Sequence, residues 1–184
     1  GLEAEPLGGA GDYLREPYFQ GGVWRYAAVH VGGLEALAEA VRRTVRGFGD
    51  AANEAQLHRV ARVAGLAHGA RLFVTDAACR VEAPGAGEEE VALSLAARET
   101  VETACLEAMA LADRALGTRS FLTGHPVDLL RRDLGFFLGR LTLMASFGGS
   151  AGPFASLVLL TRDAPAVGIS ELAGSGGVLV LAPR

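Results

Sequence analysis

AQLHRVARVAGLAHGARLFVTDAACRV, residues 55–81, is the stretch whose reading decides the fold. At helical spacing Val60, Val63, Ala67, Ala70, Val74, Ala77 and Val81 make one continuous apolar stripe. Leu57, Ala61, Ala64 and Leu72 make a shorter stripe beside it, and His58, Arg62, Gly65, Gly69, Asp76 and Arg80 fall mainly on the third side. Two apolar stripes predict a helix covered on two sides, as in the middle of a helical bundle. At 1.5 Å per residue such a helix is roughly 40 Å long, so its partners must be long as well.

The flanking sequence supplies them. From Trp24 to Phe48, Leu34, Leu37, Ala38, Val41, Val45 and Phe48 trace an apolar face opposed by Glu35, Glu39, Arg42, Arg43 and Arg46, with Gly49 expected just past the end. Gly32 and Gly33 inside this helix cost about 1 kcal/mol each relative to alanine, a cost that signals close approach of a neighbouring helix or ligand. After Val81 the run Pro84-Gly85-Ala86-Gly87 predicts a turn. Glu88, Glu89 and Glu90 suit the first turn of a third helix, which Leu93, Ala97, Val101, Ala104, Ala108, Leu111 and Ala115 carry to Leu116, and Gly117 closes it. A fourth helix opens with Pro126 and runs through VDLLRRDLGFFL. The expectation is an all-α fold, an up-and-down four-helix bundle over residues 24–138. A Gly/Pro-rich loop (1–23) leads into it, and an irregular Gly/Ala/Ser-rich tail (139–184) follows. That tail holds only five of the 38 charged residues, and two short β-type runs, Ser156–Thr161 and Val178–Leu181.

Composition removes several function classes. With 184 residues, half of them hydrophobic, the chain can build one good core. A net charge of −4 and no cluster of five Lys/Arg argue against nucleic acid as a partner. No N-terminal segment resembles a signal peptide, and no apolar run reaches the ~18 residues a bilayer requires, so the expected setting is cytoplasmic, without a membrane partner. Cys79 and Cys105 make neither a disulfide framework nor a metal motif and read as small buried hydrophobes. His30, His58, His68 and His125 stand at no metal-ligand spacing, so no metal site is expected. The GGAG at 8–11 lacks a following Gly-Lys-Ser/Thr, and AGSGG at 173–177 lacks a following helix, so neither reads as a nucleotide loop. His125, before a helix-opening proline, can cap that helix or touch a ligand. The chain starts at Gly1, with Met109 and Met144 its only methionines, which predicts a piece of something longer.

Several runs in order carry a resemblance. GVWRYAAVHVGGLEAL at 22–37 resembles the first helix of the acyl-CoA dehydrogenase C-terminal domain. RGFG at 46–49 resembles that family's Arg-x-x-Phe-Gly, one residue short, Gln56 stands where the next helix carries Gln, and Ala70-Arg71 resembles an Ala-Arg pair in its middle. ADRALGT at 112–118 falls where the family has a Gly-Gly-x-Gly stretch, and HPVDLLRRD at 125–133 is similar to its Pro-x-Glu-Arg-x-x-Arg-Asp. The match spans about residues 12–138.

The resemblance implies an FAD-dependent oxidoreductase that oxidises an acyl thioester and passes electrons to another flavoprotein. The flavin would lie between this domain and a β-domain absent from the chain, with part of its site from a neighbouring subunit, so a homo-oligomer is implied. Arg46, Phe48, Gln56, Gly117 and Thr118 become candidates for cofactor contact, the guanidinium because its planar fork suits a pyrophosphate. Trp24, Arg25 and His125 become candidates for the substrate side. The family's glutamate base follows the Arg-Asp helix, where this chain reads GFFL at 135–138, so no catalytic residue is assigned. The fragment alone is expected to be inactive. PFASLVLL at 153–160 and GGVLVLAP at 176–183 resemble the opening of a PIG-L (LmbE-like) deacetylase, with Arg184 where that family has its first metal-binding His. Met144 could then start a downstream frame, and the tail would be a fusion. The other readings open at this point are a cofactor-free helical dimerisation or scaffold module and a truncated deacetylase fusion.

Overall fold

In a computed structural model the chain is described over residues 5–145, which are helical with no strand among them. The four helices are α1 (Trp24–Arg46), α2 (Glu54–Val81), α3 (Glu88–Leu116) and α4 (Pro126–Ala145), with 3-10 turns at Gly49–Ala51 and Gly117–Phe121. No helix among the described residues is long and apolar enough to cross a membrane. The expected β runs and the deacetylase-like segment fall on residues outside those described.

Local chemistry sets the helix ends. α2 opens on a reciprocal cap: the Asn53 side chain accepts from the Gln56 N–H at 2.9 Å, and the Gln56 side chain accepts from the Asn53 N–H at 3.0 Å. α3 opens on its three glutamates, and Glu90 accepts from the Gly87 N–H at 2.8 Å, which lowers that carboxyl below its ordinary value. Gly117 closes α3 at φ +62°, where a side chain would be strained. α1 stops sooner than its stripe suggests. Arg46 is its last residue, the Gly47 N–H donates to the Arg43 carbonyl, and Gly49 sits in the next turn instead of closing the helix. α4 runs past Leu138 to Ala145, so the expected boundary at 138/139 lies inside a helix. Arg140, Leu141, Leu143, Met144 and Ala145 are good helix formers, and the fall in charge after Leu138 does not alter that preference.

Contacts between helices give their directions. Trp24 and Arg25 reach Glu82, and Glu35 pairs with Arg71, so α1 and α2 are antiparallel. Gln56 bonds to Ala115, Arg59 to Arg114, and Arg62 to Glu107, so α2 and α3 are antiparallel too. α4 lies against α1 and α3. Leu134 of α4 seats above Gly33, where an added Cβ would come within 2.7 Å of its Cδ2. The expected close approach is therefore real at Gly33. At Gly32 a Cβ would meet nothing within 4 Å.

The core forms where these helices meet. Leu34, Leu37 and Val41 of α1 are fully buried with Val63 and Ala77 of α2, Val101, Cys105 and Ala108 of α3, and Val127 of α4. Each such Leu contributes about 1.5–3 kcal/mol by leaving water. α1 and α3 each meet all three other helices, and the buried positions of α3 are largely alanine and so permit short interaxial distances.

Two expectations are corrected here. The second stripe of α2 is bare: Leu57 and Leu72 are 55% and 57% exposed, and Ala61 and Ala64 are exposed as well. α1 and α3 both press on the one buried stripe and both also meet α4, so α2 lies at the edge and α1 and α3 share the middle. Alanine suits either environment, which made half of that second stripe uninformative. Of the two cysteines only Cys105 is buried, while Cys79 is exposed. Burial, with a smaller contribution from Glu102, pushes the Cys105 thiol up to about 12.

Candidate functional site

The cofactor-side candidates gather where α1 ends, α2 begins and α3 ends. Phe48, half-buried in the α1–α2 connection, carries the Arg119 guanidinium over its ring at 4.8 Å. Gln56, in the first turn of α2, donates from Nε2 to the Ala115 carbonyl at 2.8 Å. That bond brings the opening of α2 against the last turn of α3, immediately before Gly117 and Thr118, both of which are exposed. Ser120 closes the turn by donating to the Gly117 carbonyl at 2.8 Å. Beyond the Gly117 Cα there is open space for 4 Å, so a ligand can approach its backbone closely.

Charge at this end is unbalanced. One turn earlier on α1, Arg42 and Arg43 both donate to Glu39, at 2.7 and 2.5 Å. These bonds, the one from Arg42 first, hold the Glu39 carboxyl down to about 2. Arg46, exposed on the final turn, forms no ion pair among the described residues, and neither do Arg59, Arg114 or Arg119. Guanidinium groups without carboxylate partners are suited to a ligand that brings its own oxyanions.

The substrate-side candidates do not stay together. Trp24 and Arg25 open α1, 22 residues before Arg46, which at 1.5 Å per residue is roughly 33 Å along the helix. There Glu82 accepts from Trp24 Nε1 at 3.1 Å and from the Arg25 guanidinium at 2.5 Å, and that guanidinium lies 4.9 Å from the Trp24 ring. Ser94, fully buried on α3, completes this end. Its hydroxyl donates to the Gly21 carbonyl at 2.6 Å and accepts from the Trp24 N–H at 3.2 Å. His125 lies elsewhere, before α4, where its Nδ1 accepts from the Val127 N–H at 3.2 Å and caps the helix.

Three residues that matter to this arrangement were not singled out in the sequence. Arg119 covers Phe48 from one position beyond Thr118. Ser94 is a lone hydroxyl among apolar neighbours, with no spacing to mark it. Arg131 ties α4 to α3 by donating to Asp113 at 3.1 Å and Asp128 at 2.8 Å, and its guanidinium lies 3.9 Å from the centre of the Phe121 ring. Among the described residues no three His, Cys, Asp or Glu side chains gather as a metal-binding group. No protein-family model matches the chain, and no curated protein or solved structure matches it either.

Proposed function

We propose that this chain is the C-terminal helical domain of an FAD-dependent oxidoreductase of the acyl-CoA dehydrogenase type. In this reading α1 to α4 form an up-and-down four-helix bundle, and its Phe48–Gly117 end makes one side of a flavin site. The observation that carries the reading is the gathering of Phe48, Gln56, Gly117 and Thr118 at one end, with arginines there that have no carboxylate partner among the described residues. A bound flavin would supply two-electron oxidation of an acyl thioester, with the electrons passed on to another flavoprotein.

The residues present fit such a group. Arg46 and Arg119 would face the phosphates. Thr118 would offer a backbone N–H just past the close of α3, and Gly117, whose own N–H donates to the Asp113 carbonyl, would let the group come close. The face of Phe48 would exclude water beside them. Gln56 already spends its amide on Asn53 and Ala115, so its part is to hold α2 and α3 at the spacing the site needs. No base is assigned, since Gly135 to Leu138 hold no carboxylate.

Titration of the purified chain with FAD, followed by quenching of flavin fluorescence, tests the proposal. Saturable binding is expected, weakened about tenfold by Arg46→Ala through loss of one charge-assisted contact. Absence of binding would favour the second reading, a cofactor-free helical association module, for which the bare leucines of α2 and α3 speak.

A further inference from the structure

The outer face of α2 and α3 belongs to neither end of the molecule. A groove of about 660 Å³ runs between the two helices, lined by Ala61, Gly65 and Gly69 of α2 and by Thr100, Thr103 and Ala104 of α3. A Cβ built on Gly65 or Gly69 would meet nothing within 4 Å. The chain's own packing therefore has no use for two mid-helix glycines that cost about 1 kcal/mol each against alanine. Leu72 on α2 and Leu106 on α3 stand on the same side, each 57% exposed.

Charge on the two helices is sorted by sign. At the groove α2 places His58 and Arg62 and α3 places Glu99 and Glu107, and over their whole lengths α2 carries four arginines and two carboxylates, α3 two arginines and seven carboxylates. Arg62 of α2 pairs with Glu107 of α3 across the groove. We propose that this face is a self-complementary interface with a second copy of the chain, related by a two-fold axis running along the groove. Because α2 and α3 are antiparallel, that axis lays α2 of one copy over α3 of the other, again antiparallel. The basic helix then meets the acidic one, and the two Arg62–Glu107 pairs alternate in sign about the axis. A two-fold axis across the helices would instead stack α3 on α3 and set acid against acid. A second copy is the occupant because this one face supplies both halves of the charge pattern, and Gly65 and Gly69 leave room for its backbone to come close.

The interface contains none of the cofactor-side residues, so it stands whether or not flavin binds. Sedimentation velocity of the full chain without FAD is expected to show a dimer, and a monomer throughout the micromolar range would overturn the proposal. Gly65→Leu with Gly69→Leu fills space that is empty within one copy. Helix content by circular dichroism should be kept while the dimer dissociation constant rises at least about tenfold, and an unchanged constant would overturn the assignment of this face. Should that variant lose its fold, the exposed charges still decide. Arg62→Glu alone and Glu107→Arg alone should each weaken the dimer at low salt, and mixing the two should give a heterodimer tighter than either homodimer. No preference for the mixed species would refute the two-fold arrangement.

Discussion

Where α1 begins, Trp24, Arg25 and Ser94 are each tied to a group on another element. Where α1 stops, Arg46 and Arg119 have no carboxylate partner among the described residues, and open space lies beyond the Gly117 Cα. The first end spends its polar groups on holding the chain together, and the second keeps several in reserve. A group committed to the fold shows itself by a stability loss when removed, a group in reserve by a binding loss.

Ser94→Ala should therefore have the largest effect on stability. It strips partners from the buried Gly21 carbonyl and the Trp24 N–H at once, and about 2 kcal/mol should be lost in urea unfolding. A loss below about 0.5 kcal/mol would mean that this end is not a joint of the fold. Gln56→Ala sits between the two kinds, because it breaks the α2 cap and the tie to Ala115. About 1 kcal/mol is expected in the same assay, and an unaltered midpoint would remove the claim that Gln56 spaces α2 from α3. Arg46→Ala should change stability by no more than about 0.5 kcal/mol. A much larger cost would move Arg46 into the structural class and erase the contrast between the ends.

How far the sequence could be read follows from which residues bear unambiguous signals. The helices were legible because valine and leucine recur at helical spacing and because Gly87, Gly117 and Pro126 punctuate them. Gly33 was legible as a close approach, since glycine in mid-helix is costly and the cost demands a reason. The edge position of α2 was not legible. Ala61 and Ala64 fit a buried or a bare surface equally, and nothing local shows that α1 and α3 press on the same stripe. Cys79 misled for a similar reason, its type being common in cores while its side of α2 faces outward.

The site was read in part. Phe48, Gln56, Gly117 and Thr118 were named together from a resemblance, and their being neighbours in space is a matter of how α2 returns against α3. Arg119 was passed over because a guanidinium stacked on a ring 71 positions away leaves no mark in the local pattern. Trp24 and Arg25 were grouped with His125, although they open α1 and bond to Glu82 while His125 caps α4. A resemblance transfers order along the chain, whereas distance follows from the rise of a helix.

The seat of Leu134 above Gly33 also bears on how this sequence can drift. A methyl at position 33 would collide with an end methyl of a leucine packed on the adjoining helix. The two positions are thus coupled: alanine enters at 33 only when the side chain at 134 shifts or shortens in step. Neutral change on α1 is in this way chained to change on α4, a hundred residues downstream.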